Sequence, residues 1–118
     1  MSHTTMFGTK SVVWNTKEAG VVEFLVFQEK DTYVGVCLSF GIVEEGKDPS
    51  QVMANIKEAA TLHLEAVVKS ELPDDLLNRH APKEYWDKYY EILEEVETKQ
   101  VGFFVRSPYY QTQSVSFA

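Results

Sequence analysis

The run Val21-Val22-Glu23-Phe24-Leu25-Val26-Phe27-Gln28 constrains this chain more than any other feature. On an extended backbone Val22, Phe24 and Val26 share one face, and Val21, Leu25 and Phe27 share the other. Both faces are apolar, so the run predicts an interior strand rather than an edge with one side in water. Such a strand needs neighbours, and the sequence supplies them. Runs 33–40 and 42–45 are again rich in Val, Phe, Tyr and Ile, set apart by Glu29-Lys30-Asp31-Thr32 and by Gly41. The four-residue link is short enough to make the first two runs a hairpin.

After Gly46 the apolar period lengthens to that of a helix. Asp48 is a good N-cap, because its carboxylate can accept from the free N–H groups of the first turn. Pro49 follows at the first helical position, where a missing N–H costs nothing. Val52, Met53, Ile56, Ala59, Ala60, Leu64 and Val67 make an apolar stripe, with Lys57, Glu58, Thr61 and Glu65 mostly off it. A link over 71–81 includes one helical turn opening at Pro73, and a second helix is predicted over about 82–97. Its Tyr85, Trp86, Tyr89, Tyr90, Ile92, Leu93 and Val96 cover a face wider than one stripe on one sheet requires. Most of that face is expected to be core, with Tyr85, Trp86 and Tyr90 as candidate oligomerisation residues. Residues 101–106 read as a closing strand, Ser107-Pro108 as its break, and 109–117 as another strand that a dimer partner would pair. Ser11-Val12-Val13-Trp14 reads as an extra strand before the turn-rich residues 15–20.

The expected fold is α+β: an antiparallel three- to four-stranded sheet with one helix packed on a face, plus a second helix and C-terminal strands. At 118 residues and 44% hydrophobic content, one domain accommodates it. Residues 1–20 read as an N-terminal extension, 21–70 as the core, and 71–118 as second helix and closing strands.

The chemistry-bearing residues are sparse. Eleven Lys and Arg against 18 Asp and Glu give a formal charge of −7, which repels phosphate backbones and attracts basic partners. Acids also outnumber bases across 70–99, so direct nucleic-acid binding is not expected. The single cysteine, Cys37, rules out an internal disulfide and reads as a small buried apolar side chain. No apolar run is long enough for a membrane span, no signal peptide is evident, and a cytoplasmic protein is the expectation. His3 reads as exposed, His63 as a core-edge histidine bonded to backbone, and His80 as a loop residue beside Pro82. No HExxH, GxSxG or Walker-type loop occurs. Glu44 and Glu45 would point to opposite faces of a regular strand, and Asp74 and Asp75 fit a solvated first helical turn. No catalytic residue, metal or cofactor is predicted, and the chain reads as a binding protein rather than an enzyme.

Glu29-Lys30-Asp31-Thr32-Tyr33-Val34-Gly35-Val36-Cys37, followed by Gly46-Lys47-Asp48-Pro49-Ser50-Gln51-Val52-Met53-Ala54-Asn55-Ile56-Lys57-Glu58-Ala59, resembles the HicB-type antitoxins. Their pattern has a Glu-Lys-Asp turn, a Tyr-containing strand, a Gly with a capping residue two positions on, and a helix carrying Asn-Ile-Lys-Glu-Ala. The likeness covers residues 21–68. It implies a degenerate ribonuclease-H-like unit without catalytic acids, and a module that neutralises a small basic HicA-like ribonuclease toxin. The chain departs from the family in its Leu38-Ser39-Phe40-Gly41 loop, which is short and lacks proline. Nothing over 70–118 reads as the usual DNA-binding module, so operator binding is not implied. On physical grounds Tyr33, Phe40, Glu44 and Glu45 are the candidate partner-binding residues. The alternative expectation is an orphan HicB-like homo-oligomer, or one that binds another partner.

Overall fold

The computed structural model describes residues 14–93 and 102–110. They form β1 (Ala19–Glu29), β2 (Thr32–Cys37), β3 (Ile42–Gly46), α1 (Pro49–Lys69), a 3₁₀ turn (Asp74–Leu77), α2 (Lys83–Leu93) and β4 (Gly102–Tyr110). Of the strand expected over 11–14, residues 11–13 lie outside the described residues and Trp14 is exposed and not in a strand. The helix end over 94–97, residue 101 and the strand residues 111–117 also lie outside them.

The sheet is antiparallel with order β3-β2-β1-β4, which makes β1 an interior strand. Its two apolar faces feed two cores. Val22, Phe24 and Val26 pack with Val52, Met53, Ile56, Ala60, Leu64 and Val67 of α1. Leu25 and Phe27 pack, with Val34, Val36 and Leu38, under Trp86 and Tyr89 of α2. The helices thus take opposite faces of the sheet. Phe24, Leu25, Val26 and Phe27 are all buried, and each such side chain contributes about 1.5–3 kcal/mol of hydrophobic stabilisation.

Helix α1 starts where the sequence places it. The Asp48 carboxylate accepts from the Ser50 N–H at 2.9 Å and the Gln51 N–H at 3.4 Å. It ends at Ser70, after which Glu71 takes a left-handed conformation (φ 52°) and Leu72 N–H returns to the Val67 carbonyl at 2.9 Å. The chain crosses the lower end of the sheet, where the Ala81 N–H donates to the Leu38 carbonyl, and α2 climbs back up the other face. Among the described residues, two α-helices rather than one therefore separate β3 from β4. The chain enters β4 beside Phe27 and runs antiparallel to β1 as far as Ala19.

Several expectations change. The run 33–40 leaves the sheet after Cys37: Leu38-Ser39-Phe40-Gly41 is a turn, with Gly41 N–H donating to the Cys37 carbonyl at 2.8 Å. Gly41 has φ 75°, which glycine adopts without the steric cost a side chain would add. Ser107-Pro108 does not break the last strand. Pro108 lies opposite Val21, whose N–H goes to the Asn15 side chain, so no ladder bond is required of the proline nitrogen. Tyr109 and Tyr110, expected to need a dimer partner, pair with Gly20 and Ala19 of the same chain.

Nor are residues 14–20 wholly an extension. Asn15 is buried, and it donates through its backbone N–H to Asn78 Oδ1 (2.8 Å) and through Nδ2 to the Leu77 carbonyl (3.1 Å). Its Oδ1 accepts from Val21 N–H (2.8 Å), and Asn78 Nδ2 donates to its carbonyl (2.8 Å). Lys17 reaches Asp74 at 2.8 Å, and the Tyr109 hydroxyl donates to the Thr16 carbonyl at 2.6 Å. This clasp ties the chain ahead of β1 to the 3₁₀ turn and to β4.

Candidate partner-binding surface

Strand parity distributes the four predicted contact residues over different environments. Tyr33 pairs with Gly46 and Glu44 with Gly35, which puts Tyr33 and Glu44 on the α1 face, both half-buried. Glu45 is exposed on the α2 face. Phe40 is a correction: it is only 3% exposed, folded under α1 by the turn after β2, with its ring 4.9 Å from that of His63. A side chain so placed stabilises the core and offers a partner nothing. Sequence reasoning overlooked Val43. It sits between the two glutamates, on the α2 face with Glu45, and is 43% exposed because α2 does not reach across β3. The signal was present, since Val43 is an apolar residue between two acids in a short strand.

The three predicted oligomerisation residues fare differently. Trp86 is 1% exposed and forms the centre of the α2-side core, which removes it from any intermolecular surface. Tyr85 and Tyr90 are half-buried, Tyr85 with its ring 6.1 Å from Phe27 and Tyr90 with its ring 5.9 Å from Trp86. The broad aromatic face of α2 is occupied by the apolar floor of β1 and β2, which a helix on a sheet needs and a narrow stripe would not fill.

At the rim of that core lies a polar seam. Glu23, whose side chain is 12% exposed, accepts through Oε2 from Tyr89 OH at 3.0 Å and from Arg106 Nε at 2.9 Å. Burial first, then the Glu23 charge, pushes the Tyr89 hydroxyl pKa up; the same two causes take Tyr90 up to about 12. The seam is a largely buried carboxylate that accepts from two donors, and it locks α2 and β4 onto β1.

Two histidines and the cysteine are held within the fold. His63 Nε2 lies 2.6 Å from the Leu76 carbonyl, joining α1 to the 3₁₀ turn as a core-edge histidine would. The His80 ring is 5.7 Å from Trp86, and burial pulls its pKa down. Burial takes the Cys37 thiol up to about 12, so it stays protonated at neutral pH. Among the described residues no three His, Cys, Asp or Glu side chains come together to hold a metal ion, and no helix is long and apolar enough to cross a membrane.

The fold and this surface define an α+β unit with one helix on each face of a four-stranded antiparallel sheet. No family model, curated protein or solved structure matches the chain.

Proposed function

We propose that this chain is a HicB-like protein-binding module that neutralises a small, basic, HicA-like ribonuclease toxin. The observation that carries the reading is the acidic edge strand β3, where Glu44 and Glu45 flank an exposed Val43. An apolar contact set between charges of one sign fits a partner of opposite charge, and it speeds encounter as well as selecting it. The hairpin, third strand and capped helix over residues 21–68 support the likeness to the antitoxins, and the net charge of −7 supports a basic partner. The second helix ahead of the closing strand is a further departure from the family's strand-strand-strand-helix-strand pattern.

Co-expression with a small basic HicA-like ribonuclease toxin tests the reading. The expected result is rescue of growth and a complex that survives gel filtration, weakened at least about tenfold by E44K/E45K with no change in melting temperature. The absence of both rescue and co-purification would refute it. A homo-oligomeric orphan is the second reading, favoured by Phe103 and Tyr110, which are exposed on β4. Light scattering across a concentration series separates the two, since only self-association raises the mass without a toxin.

A further inference from the structure

The two edges of this sheet are built differently, and the backbone shows how. Glu23 directs its backbone toward β2: its carbonyl accepts from Leu38 N–H at 2.8 Å and its N–H donates to Ser39 Oγ at 3.0 Å. Alternation along β1 and β2 then sets which residues bond which neighbour. On β2, Thr32, Val34 and Val36 bond β1, while Tyr33, Gly35 and Cys37 bond β3 through Gly46, Glu44 and Ile42. Val43 and Glu45 are left directing their N–H and C=O groups away from the sheet. The same alternation turns Phe104, Arg106 and Pro108 outward on β4. There, a proline without an N–H and an exposed arginine blunt the edge against further pairing. β3 has no proline, and the residues with outward-facing backbone groups are the ones whose side chains are exposed.

We infer that β3 is a strand-accepting edge: a basic segment of a partner protein adds to it as a fifth strand, hydrogen-bonded to the backbones of Val43 and Glu45. This rests on the protein-binding reading above and specifies its geometry. The side chains opposite Val43 and Glu45 lie on the α2 face, and the one opposite Glu44 lies on the α1 face. The accepted strand therefore carries an apolar residue over Val43 and Lys or Arg opposite Glu44 and Glu45. The carboxylates disfavour a second copy of this chain. Antiparallel self-pairing centred on Glu44 or Glu45 sets like charges face to face. Centring on Val43 brings Glu45 opposite Gly41, outside the strand, which leaves one reciprocal pair. Lys47, the neighbouring cation, lies 3.5 Å from Asp31 and does not neutralise either glutamate.

The capped hexapeptide TVKKVT reads the same in both strand directions and serves as probe, with TVEEVT as control. At saturation, TVKKVT is expected to slow amide hydrogen exchange at Val43 and Glu45 by at least about tenfold, and TVEEVT to leave it unchanged. Val43→Pro removes one outward N–H without touching the β2 ladder and should abolish the protection; E44K/E45K should exchange the two peptides' roles and keeps the test decisive if the proline variant fails to fold. Protection that falls on β4, that both peptides produce equally, or that the charge swap leaves unaltered would overturn the inference. A toxin that co-purifies undiminished with a folded Val43→Pro variant would overturn it too, and would leave the protein-binding reading standing. Edge protection by TVKKVT with no toxin bound would sustain the edge and refute the toxin.

Discussion

Replacing Asn15 by Ala tests whether the segment ahead of β1 belongs to the folded unit. The substitution deletes two side-chain hydrogen bonds and leaves Val21 N–H and the Leu77 carbonyl without their Asn15 partners. A buried polar group left unsatisfied costs about 1–3 kcal/mol, so the pair is expected to cost about 2–5 kcal/mol, with the lower end applying if water enters the vacated space. Single domains are stable by only about 5–15 kcal/mol, which makes this a large fraction of the total. With a urea m-value of about 1–3 kcal/mol/M, the unfolding midpoint should fall by roughly 0.7–5 M, with m unchanged. Asn78→Ala should behave alike, because its side chain bonds the Asn15 backbone from the other side. The two losses should not add: once one asparagine is gone the clasp is loosened, and the double variant should cost about 0.5–3 kcal/mol less than the sum. Gly20→Ala supplies a third arm, since a Cβ there would collide with Asn15 Oδ1 as well as approach the Tyr109 hydroxyl, and part of that clash is removed once Asn15 is Ala. A midpoint shift below about 0.3 M for Asn15→Ala would refute the argument and return residues 14–20 to the status of an extension.

Three further outcomes follow from packing and burial. Trp86→Ala should cost about 3–5 kcal/mol in urea unfolding and lower the cooperative transition for both helices, whereas an aromatic held only for self-association would leave monomer stability intact. A thiol-specific reagent should modify Cys37 at least about 10³-fold more slowly in the native protein than in denaturant, because burial holds the thiol protonated and covered; equal rates would contradict the core placement. Burial keeps the pKa of His80 below its ordinary 6.5, so the unfolded chain binds a proton near that pH before the folded one does. Its contribution is full above 6.5 and is lost as pH falls through and below it, so wild type should lose more stability between about pH 7.5 and about pH 5.5 than His80→Phe does; identical pH slopes would refute this.

What was legible in the sequence is what depends on neighbours along the chain. The two apolar sets of residues 21–28 announced an interior strand, and β1 is one. Asp48-Pro49 announced the start of α1, and the alternation of Glu44 and Glu45 announced their separation onto two faces. What was not legible depends on partners far away. Asn15 looks like any turn residue until Asn78, 63 positions later, is brought against it. Glu23 is an acid in an apolar run, and only Arg106 and Tyr89 explain why it stays. Phe40 shares the composition of a strand face, yet the turn that buries it is decided by Gly41 and by the position of α1. Pro108 breaks a strand by every local rule, and is allowed here because the ladder parity, fixed across the sheet at Glu23, turns its nitrogen outward.

That parity also bears on which part of the molecule is available for recognition. Each helix face is committed: α1 to the stripe that closes over Phe24 and Val26, α2 to the aromatic lid over Leu25 and Phe27. The Glu23 seam is spent on holding α2 and β4 in place, so charge reversal there would damage the fold before it altered recognition. β4 presents Pro108 and Arg106 to a would-be neighbour, the features that keep edge strands from pairing. β3 combines outward backbone groups, an exposed apolar side chain and two acidic side chains, with no proline to block pairing. Charge reversals at Glu44 and Glu45 should therefore leave stability within about 0.5 kcal/mol of wild type while moving partner affinity, whereas changes at Phe40 and Trp86 should act through stability.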